Sequence, residues 1–279
     1  MNPTIRAIVT DIDGTLLNSQ HELSERNRRA LRRAAEQGVA VILATGKTRA
    51  SAESFIEQLG LDTPGIYVQG LLLYDADGSI RFEHTLDPGI VRQVYDLTED
   101  EGHTVIAYSR NRIFMGRPRQ WCQDMLLGYH EPAAEPIEPF ESIIGREPVN
   151  KVVVFCEEER IGALREHLAA SIDGHARLVQ AVPMMLEIMP AGVSKATALR
   201  RLLAELGIEP GEVMAIGDGE NDVEMLKLAG LGVAVANATE VAKAAADVVV
   251  GSNNEDGVAE AVERFVLKAP AEQGEERRP

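Results

Sequence analysis

The chain has 279 residues, 45% of them apolar and 26% charged, a balance that suits a soluble globular protein of one large or two ordinary domains and excludes a fibrous or wholly disordered one. Its formal net charge of −16 argues against nucleic acid and anionic membranes as partners, because no basic patch of convincing size interrupts it. Only Cys122 and Cys156 occur, far apart and without a metal-ligand spacing, which argues against a disulfide framework and a structural zinc site and fits a reducing cytoplasm.

The start, MNPTIRAIVTD, lacks a signal-peptide pattern, and no apolar stretch is long enough to span a bilayer, so a soluble cytoplasmic protein is expected. IRAIVT (5–10) reads as a buried strand, LSERNRRALRRAAEQG (23–38) as an amphipathic helix stopped by Gly38, VAVILAT (39–45) as a strand and TRASAESFIEQLG (48–60) as a helix. GIYVQG (65–70) continues the rhythm, and YDADGSIRFEHT (74–85) reads as a hairpin turning at Asp77-Gly78. Residues near 86–190 change texture, with strands predicted at 103–109, 112–116, 150–156, 176–182 and 185–190 and helical segments between several of them. Five prolines between 118 and 148 break any long element there. The earlier rhythm returns with a helix at 194–207, a strand at 212–218, a helix at 221–230, a strand at 231–237, a helix at 241–247, VVVG (248–251) and a last helix at 257–267. The spacing predicts an α/β fold: a doubly wound, Rossmann-like parallel sheet built from 1–85 and 191–267, an inserted α+β domain at 86–190, and a disordered tail at 268–279.

Asp11 and Asp13 end the first strand, and residues two apart on an extended strand project the same way, with Ile12 pointing into the core. Asp218 follows the strand at 212–218, with Asn221 and Asp222 just beyond it. One such pair could be a turn or a helix cap. Two acid pairs at strand carboxyl ends, where open α/β sheets bind ligands, call for more: if the strands from Ile5 and Glu212 are neighbours, four carboxylates converge and need a divalent cation, Mg2+ by its liking for oxygen ligands. Thr45 and Gly46, after the second strand, and Lys195, at the start of the returning helix, offer a hydroxyl, an amide and an ammonium to a phosphoryl group. The four arginines of RNRIFMGRPR (110–119) read as solvated edge charges, and His21 and His103 have no sequence neighbour that suggests a ligand.

DIDGT (11–15), Thr45 in ATGK, Lys195 and GDGEND (217–222) resemble, in order and spacing, the four motifs of the haloacid dehalogenase superfamily of phosphatases, and the long insert resembles the cap of its Cof-type branch. The resemblance implies Asp11 as a nucleophile forming an aspartyl-phosphate and Asp13 as the acid and base. It implies Mg2+ held by the Asp11 carboxylate, the Asp13 carbonyl and Asp218, with Asp222 ligating through water or orienting Asp218. Thr45, the Gly46 amide and Lys195 would hold the phosphoryl oxygens, with Asn221 nearby. The expected substrate is a small phosphate ester, such as a sugar phosphate, nucleotide or phosphorylated cofactor. Gln69 and Leu71 depart from the Asn-Gly-Ala turn usual there, so the substrate and the oligomeric state stay open. The competing functions are phosphotransfer or a phosphomutase reaction on the same residues, and a receiver or binding protein that keeps the scaffold without turnover.

Overall fold

The computed structural model describes residues 4–99, 101–172, 174–182 and 184–267; the tail predicted at 268–279 lies outside the described residues. In chain order, β1 (Ala7–Thr10) leads to α1 (Glu25–Glu36), β2 (Ala40–Leu43), α2 (Arg49–Leu59), β3 (Gly65–Tyr67), β4 (Leu72–Tyr74) and β5 (Ile80–Glu83). The inserted region holds α3 (Pro88–Glu99), β6 (Thr104–Ser109), β7 (Arg112–Gly116), α4 (Gln120–Gly128), β8 (Glu135–Pro136), β9 (Lys151–Phe155), α5 (Ile161–Ile172), β10 (Ala176–Val182) and β11 (Met185–Pro190). The chain ends through α6 (Lys195–Leu206), β12 (Val213–Gly217), α7 (Val223–Leu228), β13 (Leu231–Val235), α8 (Glu240–Ala245), β14 (Val248–Val250) and α9 (Gly257–Phe265). Two compact units emerge: residues up to Ala44 with Phe55–Thr63 and those from Leu199 on, and Thr45–Ser54 with Pro64–Ala198.

The first unit carries a five-stranded sheet in the order β14-β13-β12-β1-β2, every pairing parallel. Ala7–Thr10 pairs in register with Val213–Ile216 on one side and Ala40–Leu43 on the other. These inner strands are buried at every residue of β1 and β12, which is why they read as continuous apolar runs. From β1 the chain winds outward to β2; from β12 it winds the other way to β13 and β14. Strand order therefore reverses between β1 and β12, the place where a doubly wound sheet opens a crevice at its carboxyl edge. The predicted α/β class holds. Helix α1 begins at an N-cap, Ser24, whose hydroxyl accepts the Asn27 amide at 3.1 Å, and buries Ala30, Leu31 and Ala34. Asn27 itself is buried because it donates to the Leu16 carbonyl and accepts from the Ala259 amide, tying α1 to the start of α9.

The second unit contains a six-stranded sheet in the order β10-β11-β9-β6-β7-β8, antiparallel except for β7 with β8. One face presents Val105, Ala107, Val152, Val154, Leu186 and Ile188 to a core shared with Val91 and Val94 of α3 and Leu164 and Leu168 of α5. The opposite face carries Ile106, Met115, Val153 and Phe155, packed with Cys122 and Leu126 of α4. Strand alternation produces both cores from one set of sequences. Both cysteines are free and buried, and burial pushes the Cys122 thiol up to about 11 and raises that of Cys156.

One expectation fails. The run at 65–70 does not continue the parallel sheet: β3 pairs antiparallel with β4, and β4 with β5, in a separate three-stranded sheet. Val68, Gln69 and Gly70 turn the chain back with three successive positive φ angles of 49, 61 and 96°. A β-branched valine rarely adopts that conformation, so its composition hides the turn. The predicted hairpin at Asp77-Gly78 is present as β4–β5, with its first strand beginning at Leu72. No helix among the described residues is long and apolar enough to cross a membrane.

Candidate active site

Asp11 leaves β1 in an extended conformation, and its amide donates to the Ile216 carbonyl at 3.0 Å, extending the β1–β12 ladder by one bond. This fixes Asp11 beside the end of β12, where Asp218 follows. Carboxylate oxygens of Asp11, Asp218 and Asp222 all lie within 4.8 Å of one another. Asp11 is 7% exposed and Asp222 fully buried, so the repulsion among them is not relieved by bulk water.

Neighbouring groups hold each acid in place. Asp222 Oδ2 accepts the backbone N–H groups of both Asp218 and Gly219 at 3.0 Å, which orients the segment that carries Asp218. Thr15 Oγ1 donates to Asp218 Oδ1 at 2.6 Å, and the Thr239 amide donates to the Asp218 carbonyl at 2.9 Å. Gly14 turns between these groups with φ of 75°, and a Cβ at that position would overlap Asp218 Oδ2. Its carbonyl accepts Asn237 Nδ2 at 2.7 Å. Asn237 and Thr239 escaped the sequence reading because they sit on the loop after β13, remote in sequence from both acid pairs. Their only local signal is an Asn-Ala-Thr run at a strand carboxyl end.

The fourth carboxylate is placed differently. Asp13 is not part of the three-acid group; its Oδ1 lies 3.4 Å from His21 Nδ1. Ile12 between the two aspartates is fully buried, as the alternation predicts. The fold thus brings His21 an acidic partner, Asp13, that its immediate sequence neighbours did not suggest. The reading of His103 is corrected: it pairs with Glu101 at 3.0 Å and lies with Cys156 and Glu157 in a group whose ligand-type atoms are within 4.8 Å of one another. Three hard carboxylate donors at the mouth of β1 and β12 match a divalent cation of the Mg2+ type; the thiol and imidazole of the other group do not.

Thr45, Gly46 and Lys195 belong to the second unit. Thr45 is buried, its amide donates to the Ile66 carbonyl at 2.9 Å, and its hydroxyl accepts the Lys47 amide at 3.1 Å. Gln69 lies so close over Gly46 that a Cβ on the glycine would stand 2.7 Å from Gln69 Nε2. The Gln69 amide donates to the Thr45 carbonyl at 3.0 Å and the Val68 amide to that of Lys47 at 2.9 Å, so the left-handed turn at 68–70 braces the 45–47 segment. Lys195 is 1% exposed at the first position of α6, and Ser194 and Thr197 cap that helix reciprocally. Asn221 occupies the single turn, Glu220–Asp222, ahead of α7. Of the four arginines, Arg110 pairs with Glu83 at 2.9 Å, Arg112 with Glu135 at 2.7 Å, and Arg119 donates to the Gly102 carbonyl at 2.8 Å.

The chain is similar to known proteins along nearly its whole described length. Residues 8–262 match the family described as haloacid dehalogenase-like hydrolase. The chain is 38% identical over 275 residues to a protein named chloroplastic endoribonuclease YBEY of Arabidopsis thaliana, covering 95% of this chain but only 47% of that longer protein. It is 30% identical to the 5-amino-6-(5-phospho-D-ribitylamino)uracil phosphatase YcsE of Bacillus subtilis (strain 168), across 94% of this chain and 96% of that one. A crystal structure of a haloacid dehalogenase-like hydrolase from Bacteroides thetaiotaomicron superposes with a TM-score of 0.87 at 31% identity, covering 94% of this chain and 99% of that one. By its motifs, its sheet order and this match along nearly its whole described length, the chain belongs to the haloacid dehalogenase-like hydrolases.

Proposed function

We propose that this hydrolase is a Mg2+-dependent phosphatase of small phosphorylated metabolites that works through a phosphoenzyme on Asp11. The observation that carries the reading is the group of buried Asp11 and Asp222 with half-buried Asp218 at the switch point of the sheet. The phosphatase relative that matches this chain along 96% of its own length supports the same reaction class. The endoribonuclease name belongs to a protein of which less than half is matched, and it adds no reading here.

In this mechanism an Asp11 carboxylate oxygen attacks phosphorus, the bond from phosphorus to the ester oxygen breaks, and the electron pair stays with that oxygen. Asp13 gives the departing oxygen its proton; it then takes a proton from the water that attacks the aspartyl-phosphate, and Asp11 is released as carboxylate. His21, beside Asp13, orients that carboxyl group. Asp222 keeps Asp218 in position through two backbone N–H groups, and Thr15 does so through its hydroxyl. Asp11, the Asp13 carbonyl and Asp218 would hold a divalent cation, which would supply the charge neutralisation that two approaching anions need. By their places in the family's motifs, Thr45, the Gly46 amide and Lys195 are read as holding the phosphoryl oxygens, and Asn221 as a further phosphate ligand.

The test is hydrolysis of p-nitrophenyl phosphate by the full chain with Mg2+. Asp11→Asn is expected to lower kcat by about 10⁴-fold or more, since a neutral amide oxygen is a poor nucleophile, and EDTA to abolish turnover. Turnover that persists in Asp11→Asn rejects the phosphoenzyme; turnover that persists in EDTA rejects the cation.

A further inference from the structure

The register of the six-stranded sheet sets His103 and Cys156 opposite one another. β6 and β9 run antiparallel with Thr104 across from Phe155, so the residues one step beyond, His103 before β6 and Cys156 after β9, come next in the same register. Both are buried, at 4% and 1% exposure. Glu157, the following residue, is exposed, and a ring nitrogen of His103, Cys156 Sγ and a Glu157 carboxylate oxygen lie within 4.8 Å of one another. No short spacing of Cys and His announces this group in the sequence; the pairing of β6 with β9 creates it.

The surroundings suit a metal ion of intermediate softness. Glu101 stands outside the three-donor group, with its Oε2 at 3.0 Å from His103 Nε2. A carboxylate that accepts from one ring nitrogen fixes the imidazole tautomer and leaves the lone pair on the other nitrogen for a metal. Donor atoms that share one zinc ion stand about 3–4 Å apart, a spacing within reach of atoms already this close. A thiol, an imidazole and a carboxylate form a donor set for Zn2+ and a poor one for Mg2+, and water completes the tetrahedron. Two arginines bear on the group: Arg160 lies 3.7 Å from Glu157 and 3.1 Å from Glu101, and the charge of Arg119 reaches Glu157. His167 is 3.7 Å from Glu101. The Arg160–Glu157 pair is about half exposed on both sides, so solvent screens it and it yields readily to a divalent ion. Against the two arginines stand Glu101, Glu157 and the thiolate that metal binding creates, which keeps the balance negative.

We propose that Cys156, His103 and Glu157 form a Zn2+ site within the second unit, with Glu101 orienting His103 and the exposed Glu157 receiving the ion from solvent. On binding, Cys156 gives its thiol proton to water as the Zn–S bond forms, and the other two groups ligate through lone pairs. The ion then ties the start of β6 to the end of β9 and to the cap of the turn, Glu158–Arg160, that leads into α5. The site shares no residue with the acids of β1 and β12, and it does not depend on the phosphatase reading.

The test is a titration of the full chain with Co2+, a spectroscopic substitute for Zn2+, in excess Mg2+. One equivalent of Co2+ is expected to produce a thiolate-to-metal charge-transfer band in the near ultraviolet, which oxygen ligands do not give, and added Zn2+ to abolish it. Cys156→Ser is expected to remove the band and Asp218→Asn to leave it. Because Cys156 is buried and its replacement can unfold the chain, Glu157→Gln, a change at an exposed side chain, is measured beside it and is expected to weaken Co2+ binding by about 10-fold or more. Absence of the band in wild type overturns the proposal, as does a band that survives in Cys156→Ser or is lost in Asp218→Asn. Wild-type Co2+ affinity in Glu157→Gln overturns it as well.

Discussion

Single residues at the carboxyl end of β1 carry strong constraints, and Gly14 shows why. Its φ of 75° and the space occupied by Asp218 Oδ2 exclude any side chain. Gly14→Ala is expected to destabilise the fold by about 1–3 kcal/mol in urea titration and to lower kcat by about 100-fold or more, because relief of the overlap must move Asp218. A variant with wild-type kcat would show that Asp218 can shift without loss. Glu187 presents the opposite case, a buried carboxylate whose Oε1 accepts from Lys151 while Oε2 meets no donor among the described residues, at a cost of about 1–3 kcal/mol. The acids were legible in the sequence because their signal is local, a strand ending in carboxylates two or four residues apart. Asn237 and Thr239 were not, since each meets its partners, Gly14 and Asp218, only across long stretches of sequence.

Elements built from strict alternation or clear helical periodicity were readable in advance. β1, β2, β12 and β13 fall within the predicted runs, and the neighbouring of β1 and β12, on which the convergence of acids depended, is observed. β3 was misread because a left-handed turn through Val68 and Gln69 sends it into an antiparallel sheet, and neither residue type announces such a turn. In the inserted sheet, Glu101 joins three elements: it accepts from His103 just before β6 and meets Arg160 ahead of α5 and His167 within it. The hydrogen bond from His103 holds the Glu101 carboxyl below its usual range, and Arg160 and His167 act in the same direction. A depressed carboxyl pKa adds stability that is complete above the unfolded value and is lost as pH falls through the folded one. Urea midpoints should therefore fall between about pH 6 and about pH 3 by less in Glu101→Gln than in wild type. Equal slopes would show that solvent screens the interaction away.

At the scale of the whole molecule, the chain's acidity bears on the proposed cation site. A chain of net charge −16 that gathers three acids, two of them buried, at one point is destabilised there by repulsion, which a bound cation would relieve. Mg2+ at about 100 times its Kd is expected to stabilise the fold by about 2.7 kcal/mol and to raise Tm by several degrees, read by thermal unfolding without any substrate. Asp218→Asn should remove most of that rise. An unchanged Tm in wild type would mean that the three acids hold no cation.

The pairing of β1 with β12 also sets the order in which the chain can fold. Ala7 and Val213 are joined across about two hundred residues, whereas the strands from β6 to β11 occupy one uninterrupted stretch from 104 to 190. On the ribosome the inserted sheet has all its strands available while Asp11 still waits for Asp218 and Asp222 to be translated. The three-acid group is thus a product of late assembly, and an incomplete chain ending before β12 carries Asp11 without Asp218 and Asp222.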